Sequence, residues 1–123
     1  MQQNKRTLIV GATPNETRYA NIATHILLDF GHEVVLFGIK KGEVREIPIL
    51  NEWPINADID TITMYINPRL QEQYYEQILA LQPKRIIFNP GTENVELVAL
   101  AKKGKIETLD ACTLVLLRTG QYL

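Results

Sequence analysis

Two stretches of this chain carry residue types suited to gripping anions. The first is Leu8-Ile9-Val10-Gly11-Ala12-Thr13-Pro14-Asn15-Glu16-Thr17-Arg18, an apolar run stopped by glycine and followed by a polar loop. A strand that turns sharply into a helix aims unpaired backbone N–H groups at one point, where a phosphate is a natural occupant. Here the N–H groups around Ala12 and Thr13, the Thr13 hydroxyl and the Arg18 guanidinium would supply the grip, and arginine can bond two phosphate oxygens at once. Of a G-x-G-x-x-G fingerprint only Gly11 is present; Thr13 and Glu16 stand at the other glycine positions, which argues against an ordinary dinucleotide site. The structural alternative is a helix start in which Thr13 and Glu16 form a capping box and Arg18 is solvated.

The second stretch is Gly38-Ile39-Lys40-Lys41-Gly42. NAD-binding domains place an acid at the end of the second strand to hold the ribose hydroxyls. The first carboxylate here is Glu43, and lysines occupy the place instead. Lys40 and Lys41 suit a phosphorylated ribose: the 3′-phosphate of coenzyme A (CoA) or the 2′-phosphate of NADP. The alternative is a solvated lysine pair in a turn. Ile66-Asn67-Pro68 and Asn89-Pro90-Gly91 are good capping and turn sequences in their own right. In a site, they would shape the wall and offer backbone groups.

No catalytic set emerges. His25 and His32 read as surface or boundary residues on the side away from the strand ends. Cys112 follows Asp110-Ala111 near the expected crevice, as a buried inert thiol or as a nucleophile or mixed-disulfide partner; no base stands beside it in the sequence. A small NADP-dependent reductase would need a proton donor, for which Tyr65 and Tyr19 are the nearby candidates. No His, Cys, Asp or Glu cluster has metal-ligand spacing.

The elements that must position these residues are legible from periodicity. Thr7–Val10 is a buried strand, and a helix from about Thr17 presents Ile22, Ile26, Leu27 and Phe30 before Gly31. Glu33–Gly38 is apolar at consecutive positions, as in a parallel strand covered on both faces. Residues 39–60 are irregular: Lys40-Lys41-Gly42 is a turn, Val44–Leu50 holds a short extended piece, Pro48 and Pro54 disfavour helix, and Trp53 packs the segment down. Thr61–Ile66 is the third strand, with Ile62, Met64 and Ile66 on one face. Asn67-Pro68 starts a helix with Leu70, Tyr74, Ile78 and Leu81 buried, closed by Pro83. Arg85–Phe88, a helix from about Asn94 to Lys103, a strand at Ile106–Leu109 and a helix at Thr113–Arg118 complete the chain. The fold class is therefore α/β: a three-layer sandwich with a five-stranded, mainly parallel sheet and helices on both faces. Ligands of such sheets bind beyond the carboxyl ends of the strands, where strand order reverses.

The chain has 123 residues, enough for one domain over residues 1–123. A net charge of −1 without a basic block gives no nucleic-acid or membrane surface. One cysteine allows no intrachain disulfide, which fits a reducing, cytoplasmic setting. The first six residues are polar and lack a signal core. The apolar tail, Leu114-Val115-Leu116-Leu117 with Tyr122-Leu123, packs either on its own sheet or on a partner protein or second copy, as in a homodimer or an interaction subunit.

Four segments together resemble a family: the small stand-alone CoA-binding proteins, similar to the CoA-binding domain of succinyl-CoA synthetase alpha subunits. They are Val10-Gly11-Ala12-Thr13-Pro14-Asn15 with Arg18, Gly31-His32-Glu33-Val34, Asn89-Pro90-Gly91 and Asp110-Ala111-Cys112. Thr13 stands where relatives usually have serine, Gly38-Ile39-Lys40-Lys41 where many have N-P-K, Asn89 where they often have glutamine, and Thr113 where they often have proline. The resemblance implies a Rossmann-like fold that binds CoA or acyl-CoA. Its pyrophosphate would lie over Gly11, Ala12, Thr13, Asn15 and Arg18. Gly38, Lys40 and Lys41 would meet the nucleotide end, and Ile66, Asn67, Pro68, Asn89 and Gly91 would line the groove. The phosphohistidine and ATP-grasp domains of the ligases have no counterpart in this chain, so acyl-CoA synthesis by it alone is not implied.

Overall fold

Short apolar runs build the middle of the sheet. The computed structural model describes residues 4–123, so Met1-Gln2-Gln3 of the polar leader lie outside the described residues. The elements are β1 (Thr7–Val10), α1 (Tyr19–Asp29), β2 (Val34–Phe37), β3 (Glu43–Val44), β4 (Ile47–Leu50), β5 (Thr61–Met64) and α2 (Pro68–Gln71). After a 3₁₀ turn at Glu72–Tyr74 come α3 (Tyr75–Leu81), β6 (Arg85–Phe88), α4 (Val95–Lys103), β7 (Glu107–Asp110) and α5 (Thr113–Arg118). Strand order is β3-β4-β2-β1-β5-β6-β7, parallel except for the β3–β4 pair.

Every residue of β1, β5 and β6 is buried. Successive side chains on a strand point to opposite faces. Leu8, Val10, Ile62, Met64, Ile86 and Phe88 accordingly join Ile78 of α3 and Leu97 and Ala101 of α4 in one core. Ile9 and Ile87 join Ala20 and Leu27 of α1 and Leu117 of α5 in the other. Helices thus cover both faces, and the sandwich has the expected three layers.

The expected five strands become seven, because residues 43–50 form a β-hairpin whose second strand extends the parallel sheet beside β2. Its two-residue loop, Arg45-Glu46, has φ of 48° and 69°. Such loops normally announce themselves as Asn-Gly or Asp-Gly. Arg45 offsets the strain through its guanidinium, which bonds Asp29 Oδ1 at 2.6 Å and the His25 carbonyl at 3.2 Å near the end of α1.

Other departures have simple causes. α1 buries Ala20, Asn21, Ala23, Thr24 and Leu27, so its small residues bring it close to the sheet, while Phe30 lies beyond the helix and is 44% exposed. The single helix expected after Asn67 is interrupted by the 3₁₀ turn, and Leu70 faces out. His32 is buried: its Nδ1 accepts the Lys5 N–H at 2.9 Å, and its ring lies 5.0 Å from that of Tyr122. Leu114, Leu117 and Tyr122 of the apolar tail are buried within the chain, whereas Val115 and Leu123 are exposed. Trp53 packs its segment down as expected, edge-on to Phe37 and stacked on Tyr74.

Candidate functional site

The chain leaves β1 toward β2 and leaves β5 toward β6, so strand order reverses between the central pair β1 and β5. The loops that follow these two strands diverge and open a crevice at the carboxyl edge of the sheet.

Gly11 makes the first turn at φ 104°, and a Cβ there would meet Ile66 Cγ2 at 3.0 Å and Tyr65 at 3.2 Å. The N–H groups of Gly11 and Ala12 both donate to the Phe37 carbonyl at 2.9 Å. The Ala12 N–H, expected to face a phosphate, is therefore engaged in the fold. Thr13 Oγ1 accepts the Asn15 N–H at 3.2 Å, Asn15 Oδ1 accepts from Thr17, and the buried Asn21 amide holds the Thr13 carbonyl at 3.0 Å.

The capping box does not form. α1 starts only at Tyr19, its N-cap is Arg18, and no side chain caps it or places an acid in its first turn. The N–H groups of Tyr19 and Ala20 have no partner among the described residues. In each of the other helices that follow a strand, an asparagine oxygen takes up one N–H of the first turn. Asn67 Oδ1 accepts the Leu70 N–H, Asn94 Oδ1 the Leu97 N–H, and Asn89 Oδ1 the Thr113 N–H at the start of α5. The first turn of α1 has no such oxygen, so the positive end of its dipole is open to an anion.

The second loop is built against the first. Gly38 is buried, and a Cβ on it would sit 2.4 Å from the Ala12 carbonyl oxygen. Gly42, at φ 141°, packs on the Pro14 ring. Between them Ile39, Lys40 and Lys41 project into solvent. Arg18, Lys40 and Lys41 form no ion pair among the described residues, so three cations stand beside the open helix terminus without a counter-charge.

The remaining loops supply the wall, with less to offer a ligand than expected. Asn67 caps α2 and Pro68 is its first residue. The Asn89 side chain is buried, donating to Thr63 Oγ1 and the Met64 carbonyl while accepting from Thr113, so its amide is taken up inside the fold. The Gly91 N–H donates to Glu93 Oε1. Ile66 is half-buried beneath Gly11.

Residues not anticipated from the sequence hold these loops together. Buried Gln71 donates to the Ile66 and Thr92 carbonyls and accepts from Asn94, tying the third loop to the fourth. Asn51 donates to the carbonyls of Gly38 and Lys40. Amides acting at a distance in sequence have no local motif, and nothing in the linear pattern could have singled them out.

Tyr65 and Cys112 sit at this edge too. The Tyr65 hydroxyl is buried without a hydrogen-bond partner among the described residues, and burial pushes its pKa well up. Cys112 is half-buried at the N-cap of α5. No group of three or more His, Cys, Asp or Glu among the described residues could hold a metal ion, and no helix there is long and apolar enough to cross a membrane. A groove of about 620 Å³ lies elsewhere, between residues 53–57 and α3. Its one charged lining residue is Glu76, which suits a phosphate poorly.

The fold and this crevice define an α/β domain of the Rossmann-like class. By a family-model match over residues 5–118, the chain belongs to the CoA binding domain family. Among solved structures, it resembles an uncharacterized protein at 49% identity and TM-score 0.95, covering 98% of this chain and 99% of that one. A hypothetical protein from Pyrococcus horikoshii OT3 matches at 26% identity and TM-score 0.83, over 92% of this chain and 81% of the other. A conserved hypothetical protein from Pyrococcus furiosus matches at 25% and 0.79, over 90% and 97%. No curated protein matches the chain.

Proposed function

We propose that this protein binds CoA or acyl-CoA over its first and second loops, beside the crevice that opens between β1 and β5, as a carrier or sensor without a catalytic apparatus of its own. The observation that carries the reading is the open N-terminus of α1, with Arg18, Lys40 and Lys41 near it in no ion pair among the described residues. The helix terminus and Arg18 receive the pyrophosphate, with the Thr13 hydroxyl alongside. The lysines meet the phosphate of the ribose. Family membership supports CoA over other phosphorylated ribose ligands.

Isothermal titration of the protein with CoA, NADP and NAD tests this. The expected result is saturable binding of CoA, with NADP and NAD at least tenfold weaker, a difference of about 1.4 kcal/mol. NADP binding as tightly as CoA would favour the reductase reading instead.

A further inference from the structure

The second loop is held in shape by a residue outside it. Asn51 Nδ2 donates to the Gly38 carbonyl at 2.7 Å and to the Lys40 carbonyl at 3.0 Å, one amide gripping two turns of backbone. The loop is tied to β4 at both ends as well: the Gly38 N–H donates to the Leu50 carbonyl and the Ile49 N–H to the Gly42 carbonyl. Only Ile39, Lys40 and Lys41 are left to project. A trans peptide points its C=O and N–H in opposite directions. With the carbonyls of Gly38 and Lys40 turned toward Asn51, the N–H groups of the next residues, Ile39 and Lys41, point away from it. Neither has a hydrogen-bond partner among the described residues. Two free N–H groups on the same side of a short loop, flanked by two unpaired lysines, make an anion-binding concavity.

We infer that Asn51 is a positioning residue: it fixes the second loop so that the Ile39 and Lys41 N–H groups and the two lysines converge on one phosphate, and it thereby sets preference for a 3′-phosphorylated nucleotide. This rests on the CoA-binding reading above. Asn51 itself touches no ligand; it acts through the two carbonyls it turns away.

The test is titration of wild type and Asn51→Ala with CoA and with dephospho-CoA, which lacks the 3′-phosphate. Wild type binds CoA more tightly than dephospho-CoA. Loss of two hydrogen bonds weakens CoA binding to N51A by about tenfold, while affinity for dephospho-CoA stays within about twofold. Melting temperatures of the two ligand-free proteins, measured in parallel, stay close because Asn51 is exposed. If N51A loses affinity for both ligands equally, or for neither, the positioning role is wrong while CoA binding stands. If wild type binds neither ligand, the CoA reading fails and this inference fails with it.

Discussion

A Cβ on Gly38 would lie 2.4 Å from the carbonyl oxygen of Ala12. No side chain fits between the two loops, so the first cannot move without the second. The contact ties the loop that leads to the helix terminus and Arg18 to the loop that carries Lys40 and Lys41.

Gly38→Ala is therefore expected to damage fold and binding together. The obstacle is backbone, so a strand end must shift, at a cost of about 1–3 kcal/mol. Urea denaturation should show that loss, and titration a CoA affinity at least tenfold lower. A G38A protein of wild-type stability and affinity would show that the loops are not mutually fixed.

Tyr65→Phe should behave in the opposite way. A buried hydroxyl without a partner carries an uncompensated desolvation cost. Thr63 and Thr113, on the same side of the sheet, bond each other at 2.8 Å. Removing the Tyr65 oxygen should leave stability unchanged or raise it by about 1 kcal/mol, without changing CoA affinity. A strong loss of ligand binding would instead give that hydroxyl a direct part in the site.

Stability should fall as the medium becomes acidic, through His32. Burial first, then the nearby charges of Arg85 and Lys5, lower its pKa below the ordinary 6.5, against an opposing pull from Asp60. The folded state then binds the His32 proton less readily than the unfolded chain, so stability is full above about pH 6.5 and declines below it. The geometry agrees: Nδ1 accepts the Lys5 N–H, and a proton there would face that donor. His32→Asn should flatten the decline in melting temperature between pH 7.5 and 5.5, since asparagine offers an acceptor that does not titrate in this range. An unchanged decline in H32N would place the sensitivity elsewhere.

The parts of the fold that sequence revealed are those in which local pattern and tertiary demand agree. The apolar runs at residues 7–10, 34–37 and 85–88 could only be covered strands, and Asn67-Pro68 caps α2 as its composition requires. The β3–β4 hairpin escaped because Arg45-Glu46 carries no turn signature; its positive φ angles are held by contacts to α1, far away in sequence. The same reason hid His32, whose burial depends on Lys5 and Tyr122. In the site, the cationic residues were legible by type. Which N–H groups are free was not, because that depends on Phe37 accepting two of them and on distant or capping asparagines each taking one at the start of another helix.

The central claim is tested most directly by thermal unfolding of wild type and Arg18→Ala with and without millimolar CoA. A ligand at about 100 times its Kd stabilises the folded state by about 2.7 kcal/mol. Wild type should therefore melt about 10 °C higher with CoA, and R18A should show a clearly smaller rise. An unchanged wild-type melting temperature at millimolar CoA would contradict the account.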